Sequence, residues 1–193
     1  MVAGMPLPTF RALLCATVVA LMAALLPAAP ASAVNLTYYT YELRNVNSGL
    51  CLEIDNWMTS EMTRATQNAC DRSAPQQWRY SDVPGQATRT EMMTNQNSRL
   101  CLGIFYYRKD DYAQAGQWAC NTSDAQFWRF DQFADGTYQL VNYISGKCLD
   151  VADWNTHGDA VIQQYTCHGG ANQRWAETAI RHSITVHLGA LSG

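Results

Sequence analysis

The chain is short of charge. Only 15% of its 193 residues are Asp, Glu, Lys or Arg, and 13 bases face 16 acids for a formal net charge of −3. That leaves no basic field to hold nucleic acid by its phosphates. Disorder is excluded from the other side, because 48% hydrophobic content is too high for a chain unable to build a core. Gly-x-Ser-x-Gly, His-Glu-x-x-His and a phosphate-cradling glycine loop are all missing, so the common marks of serine hydrolases, zinc proteases and nucleotide enzymes are absent. No window of a dozen residues keeps a 3.6-residue period, which argues against a helical fold. The length suits one domain.

What is present begins with an N-terminal segment unlike the rest. Residues 1–33 hold no acid and one base, Arg11, followed by an uncharged stretch of fifteen residues from Ala12 to Leu26. Pro27 ends it, and Ala31-Ser32-Ala33 places small residues where a signal peptidase reads. The segment is expected to be a secretory signal peptide, removed on export. Fifteen residues fall short of the roughly 20 that cross a bilayer, so no membrane insertion is expected. The mature chain would be Val34–Gly193, 160 residues with 12 bases and 16 acids, a formal charge of −4. Cys15 would leave with the leader, so seven cysteines become six.

Those six fall in a repeat. Cys51/Cys70, Cys101/Cys120 and Cys148/Cys167 are each 19 positions apart, and their first members are 50 and 47 residues apart. Other residues keep step: Asn45, Asn95 and Asn142; Ser48, Ser98 and Ser145; Leu52, Leu102 and Leu149; Ile54, Ile104 and Val151; Gln67, Gln117 and Gln164. Each unit closes on Gln-x-Trp, at Gln76 and Trp78, Gln126 and Trp128, Gln173 and Trp175. Nine positions matching in three copies show that one structural unit occurs three times.

The local pattern is that of strands. Leu and Ile/Val at one and three positions past each first cysteine share a strand face. Val83-Pro84-Gly85 and Ala134-Asp135-Gly136 look like hairpin turns. An all-β fold follows. Equal spacing suggests pairing within each unit, Cys51–Cys70, Cys101–Cys120 and Cys148–Cys167, each bridge worth roughly 3 kcal/mol in the chain-entropy model. Zinc is the competing use of six thiols. It favours ligand pairs two to four residues apart, and no Cys-x-x-Cys occurs, so disulfides are expected and no metal or cofactor.

Three units with Cys-Leu, a second cysteine and Gln-x-Trp resemble the ricin-type lectin family, over roughly Thr37 to Glu177. The resemblance implies a β-trefoil with pseudo-threefold symmetry: six hairpins, the motif tryptophans in a shared core, and one possible sugar pocket per repeat. It sets the domain at 34–177, with repeats near 37–80, 88–130 and 137–177. Residues 178–193 are left as a C-terminal tail, in which Ile184, Val186 and Leu188 alternate like a strand. Tyr38–Arg44 would supply the closing strand.

Residues that recur three times are explained by the fold, so function is sought where the copies differ. The family's pocket uses an acid two residues after the first cysteine, an aromatic two before the second, and polar groups after the second cysteine and before the Trp. In the third repeat these are Asp150, Tyr165, His168, Asn172 and Gln173, all suitably filled. An ionised Asp accepts hydrogen bonds from sugar hydroxyls, a Tyr ring lies against a pyranose face, and Asn and His add polar contacts. Gln173 recurs as Gln76 and Gln126, so it has a structural duty as well. Asp153 and Trp154 stand close enough in sequence to widen the pocket.

The first repeat offers Glu53 but has Asn68 for the aromatic, Asp71 after the cysteine and Pro75 before the Gln. The second has Trp118 and Asn121, with Gly103 for the acid and Ala125 for the Asn. Glu53, Trp118 and Asn121 are thus the weaker sugar-site candidates. A secreted, extracellular, non-enzymatic binder of glycans or polysaccharides is the function the resemblance implies, with galactose- or xylose-type sugars suited to an Asp and an aromatic. The competing readings are a trefoil that binds protein, such as a protease inhibitor or toxin-targeting subunit, and a small glycoside hydrolase.

Overall fold

The computed structural model describes residues 32–188. The expected leader, apart from its last two residues, and the end of the expected tail lie outside the described residues. One compact unit spans Asn35–Val186, and the site and core described below belong to it. The few described residues outside it are the ends of the first and last strands.

The described residues form twelve strands and no long helix: β1 (Ser32–Asn45), β2 (Cys51–Ile54), β3 (Thr63–Asn68), β4 (Trp78–Asp82), β5 (Thr90–Asn95), β6 (Cys101–Ile104), β7 (Ala113–Trp118), β8 (Phe127–Gln132), β9 (Tyr138–Asn142), β10 (Cys148–Val151), β11 (Ala160–Tyr165) and β12 (Trp175–Leu188). Six of them close a barrel, in which β1 pairs with β4, β4 with β5, β5 with β8, β8 with β9, β9 with β12, and β12 with β1. Closure leaves no free sheet edge in this layer. The hairpins β2–β3, β6–β7 and β10–β11 cap the barrel, and β3, β7 and β11 each pair with the other two. This is the expected β-trefoil. The predicted turns join β4 to β5 and β8 to β9, with Gly85 and Gly136 at φ +81° and +85°, backbone that glycine adopts without steric cost.

The core follows from the repeat. Trp78, Trp128 and Trp175 are fully buried, each with its own unit's Leu52, Leu102 or Leu149. Each indole N–H donates to that leucine's carbonyl, at 3.2, 3.1 and 3.2 Å, so burying the ring leaves no orphaned donor. The repeated glutamines join neighbouring units. Gln67 donates to the carbonyls of Asn155 and His157, Gln117 to those of Met58 and Ser60, and Gln164 to those of Arg108 and Asp110. Each also accepts from its own unit's serine, Ser48, Ser98 or Ser145. First reaches third, second reaches first, and third reaches second. The three disulfides pair as the spacing suggests.

The C-terminal segment continues the last strand of the trefoil. β12 runs unbroken to Leu188, so the expected boundary between residues 177 and 178 falls inside a strand, and the expected start at Val34 falls inside β1. Past the trefoil β12 stays beside β1: Thr185 Oγ1 donates to Asn35 Oδ1 at 2.8 Å, and the Tyr38 and His182 rings stack at 4.7 Å. The two-residue alternation that suggested a strand simply continues the pairing of the barrel's two ends.

Candidate functional site

Paired strands place the carboxylate. Asp150 on β10 lies opposite Gln163 on β11, and the short 3-10 turn before Trp175 brings Asn172 and Gln173 beneath it. Gln163 Nε2 donates to Asp150 Oδ1 at 3.0 Å, while Asn172 Nδ2 and Gln173 Nε2 donate to Oδ2 at 2.8 and 3.0 Å. Asp150 is 2% exposed. Burial holds its carboxyl above the ordinary carboxylate range, against the opposing pull of the amide donors and of His168. A carboxylate has about four lone-pair positions, so three amides leave room for about one further donor. No arginine or lysine appears among these partners.

Above the carboxylate the walls are aromatic. A cavity of about 170 Å³ is lined by Tyr112, Asp150, Trp154, Gln163, Tyr165 and His168, with Asp153 and Asn172. Tyr165 meets Tyr112 edge to face at 5.1 Å, and Trp154, half exposed, stacks on His168 at 5.8 Å. The His168 ring is oriented by its own loop, where the Gly170 N–H donates to Nδ1 at 3.1 Å. In the neutral ring this puts the proton on Nε2, which faces Asp150 Oδ2 at 3.9 Å. A Cβ at Gly170 would come within 2.6 Å of Trp154 and 2.8 Å of His168, so a larger residue here would displace these two rings. Such a cleft is smaller than the about 300–1,000 Å³ of drug-sized sites, and suits one ring.

The third-repeat candidates therefore come together, though in two roles. Asp150, Tyr165 and His168 line the cleft. Asn172 lines the cleft too, but it is buried and its amide N–H groups go to Asp150 and to the Val151 carbonyl, so it also steadies the acid. Gln173 does the same from below and accepts the His168 backbone N–H at 2.9 Å. Sequence reasoning missed Gln163 and Tyr112. Tyr112 belongs to the second repeat, at φ +66°, and is anchored by its N–H to the Gln164 carbonyl at 3.0 Å. Its counterparts Met62 and Asp159 stand eleven positions past their first cysteines and bond Gln117 and Gln67 in the same way. The signal was there, since Met, Tyr and Asp differ, but it lay in a neighbouring unit.

The other two repeats diverge. Glu53 accepts from Asn68 Nδ2 at 3.0 Å and from Gln76 Nε2 at 2.9 Å. The missing platform at Asn68 is offset by Trp57, the first-repeat counterpart of Trp154, which lines a cavity of about 310 Å³ with Glu53 and Asp71. In the second repeat the expected platform fills the pocket. A Cβ on Gly103 would lie 2.3 Å from the Trp118 ring, so the indole occupies the space an acid would need. Asn121 is engaged by Tyr107 and by the Ser123 N–H. Gly103→Asp is therefore expected to create no pocket and to destabilise by about 1–3 kcal/mol through overpacking. Thermal melts check this, and an unchanged melting temperature would refute the packing. Among the described residues no cluster of three or more His, Cys, Asp or Glu is placed to hold a metal ion.

Comparison with known proteins agrees with this architecture. The family model of the ricin-type beta-trefoil lectin domain matches residues 39–175. The designed threefold-symmetric protein ThreeFoil is 32% identical, with a TM-score of 0.69 over 72% of this chain and 96% of that one. An exo-beta-1,3-galactanase from Clostridium thermocellum is 30% identical, with a TM-score of 0.70 over 73% of this chain and 30% of the enzyme. Serine protease 1 of Rarobacter faecitabidus is 46% identical over 41 residues, 21% of this chain and 8% of that protein. The chain thus spans a small part of either enzyme. Matched along nearly all of its trefoil, with the three Gln-x-Trp units in register, the chain belongs to the ricin-type beta-trefoil lectin domain family.

Proposed function

We propose that this chain is a secreted, non-enzymatic carbohydrate binder whose working pocket is the third-repeat cleft. The observation that carries the reading is Asp150, a buried carboxylate held by three neutral amides beneath aromatic walls. Neutral amide donors fix its position without neutralising it, so a sugar hydroxyl finds a charged acceptor already desolvated. Tyr165 offers a face to the pyranose ring, and galactose- or xylose-type sugars suit this pairing. Tyr112, well exposed and edge-on to Tyr165, is placed to contact the next sugar of a longer glycan. One small cleft gives weak binding to a monosaccharide, and useful affinity comes from longer chains or clustered copies. Six cysteines in three disulfides fit an oxidising, extracellular setting.

A glycan array with the wild type and Asp150→Ala tests the assignment. Signals on a defined glycan set should vanish in the variant while its melting transition remains. Binding unchanged by the substitution would sink the third-repeat site, and release of reducing ends from the same glycans would overturn the non-enzymatic reading.

A further inference from the structure

The open end of the barrel, away from the hairpin cap, departs from threefold symmetry in its charged residues. Glu91 stands where the other repeats place Tyr41 and Tyr138, each paired with a motif tryptophan on the neighbouring strand. Glu177, two residues past Trp175, takes the place of Tyr80 and Phe130. An aromatic layer would serve the fold in all three copies, so these two acids are not needed for it.

Arg89 answers them in part. Its guanidinium lies over Phe130 at 4.3 Å, donates to both Glu177 oxygens at 3.0 and 3.3 Å, and reaches Glu91 Oε1 at 3.1 Å. That leaves Glu91 Oε2 and the Tyr80 hydroxyl buried without a partner, although Glu91 is only 5% exposed. Both residues line a cavity of about 570 Å³, together with Tyr38, Tyr41, Arg79 and Asp82. Its charged lining is two arginines, Arg79 and Arg89, against three acids, Asp82, Glu91 and Glu177. Arg89 already serves two of the acids, and Arg79 lies over the Tyr38 ring at 5.1 Å. The surplus is one carboxylate, with aromatic walls around it. A carboxylate oxygen buried without a partner leaves negative charge uncompensated at the cavity wall, and aromatic faces beside a carboxylate favour a cation.

We propose that this cavity is a second binding site, for a primary ammonium carried on a hydroxylated ring, as in an amino sugar. The ammonium bonds Asp82, the exposed carboxylate of the cavity, and compensates the charge of Glu91 Oε2 buried behind it, while the ring lies among Tyr38, Tyr41 and Tyr80. Burial already holds the Glu91 carboxyl above its ordinary range, with Asp82 adding to the shift against the pull of Arg89, and a bound ammonium relieves that cost.

The test uses the whole protein titrated with glucosamine, glucose and n-butylamine by calorimetry and NMR. Glucosamine is expected to bind, with glucose and butylamine each at least about tenfold weaker, the factor set by one charged hydrogen bond or one ring contact. Asp82→Asn, at an exposed position, should weaken glucosamine by about tenfold, and Glu91→Gln should do so if its melt shows a folded protein. Asp150→Ala should leave glucosamine binding intact, which separates this site from the third-repeat pocket. In the Asp150→Ala protein, glucose binding as well as glucosamine would overturn the ammonium, and butylamine binding as well would overturn the ring. No glucosamine binding, or binding indifferent to Asp82→Asn, would overturn the site.

Discussion

Trp128→Ala is expected to cost about 3–5 kcal/mol of stability, as deletion of a buried aromatic does. The ring is fully buried at the centre of the barrel. Its indole N–H also satisfies the Leu102 carbonyl, so the variant loses packing and orphans an acceptor at once. Native domains hold only about 5–15 kcal/mol in reserve, so the melting temperature should drop by roughly 10 °C. Chemical and thermal denaturation of wild type and variant read this directly. A loss below about 1 kcal/mol would mean the three tryptophans are not the shared core. Because Trp128 belongs to the second repeat, folded variant should keep whatever glycan affinity the third-repeat cleft provides.

The second large effect concerns pH. Ionised Asp150 is the acceptor in the proposed site, and burial keeps its carboxyl above the ordinary aspartate range. Glycan binding should therefore fade as pH drops through that raised value, earlier than for an exposed aspartate near about 3.9. Asp150→Asn keeps the shape and removes the charge, but sets an amide against the donors of Gln163, Asn172 and Gln173. Affinity should fall by about ten- to a hundredfold, the worth of a charge-assisted hydrogen bond, and the acid limb should disappear. Titrations of wild type, Asp150→Asn and His168→Gln between acid and neutral pH distinguish the groups. An acid limb that survives in Asp150→Asn and is lost in His168→Gln would move the titration to the imidazole.

Stability should follow the opposite slope. A buried acid whose folded value is raised binds its proton more tightly in the native state. Its contribution to stability is therefore greatest at low pH, and declines as pH rises from the unfolded value through the folded one. The carboxylate that makes the pocket useful at neutral pH is a burden on the fold there. The amides of Gln163, Asn172 and Gln173 offset part of it.

What the sequence reveals depends on how many times a residue is needed. The asparagines, serines, leucines, glutamines and tryptophans recur because each unit uses them in the same bond, so spacing alone exposes the threefold repeat, and the resemblance those residues carry implies the trefoil. Asp150, Tyr165 and His168 stand out because they break the repeat inside their own unit. Tyr112 is hidden since the wall it builds belongs to the next unit, and proximity across a symmetry axis leaves no trace in linear spacing. Trp118 misleads for a different reason. Its residue type suits a platform, and only the space left by Gly103 shows that the ring fills the pocket. Trp57 supplies to the first repeat an aromatic in place of the one that Asn68 lacks.

The glutamine bonds between units have one more consequence. In an open repeat array the terminal members have a single neighbour and fray first. Here Gln67, Gln117 and Gln164 run in a circle, so no unit is terminal and none can peel away without severing bonds on both sides. Loss of any one third should then bring down the other two, in a single cooperative step.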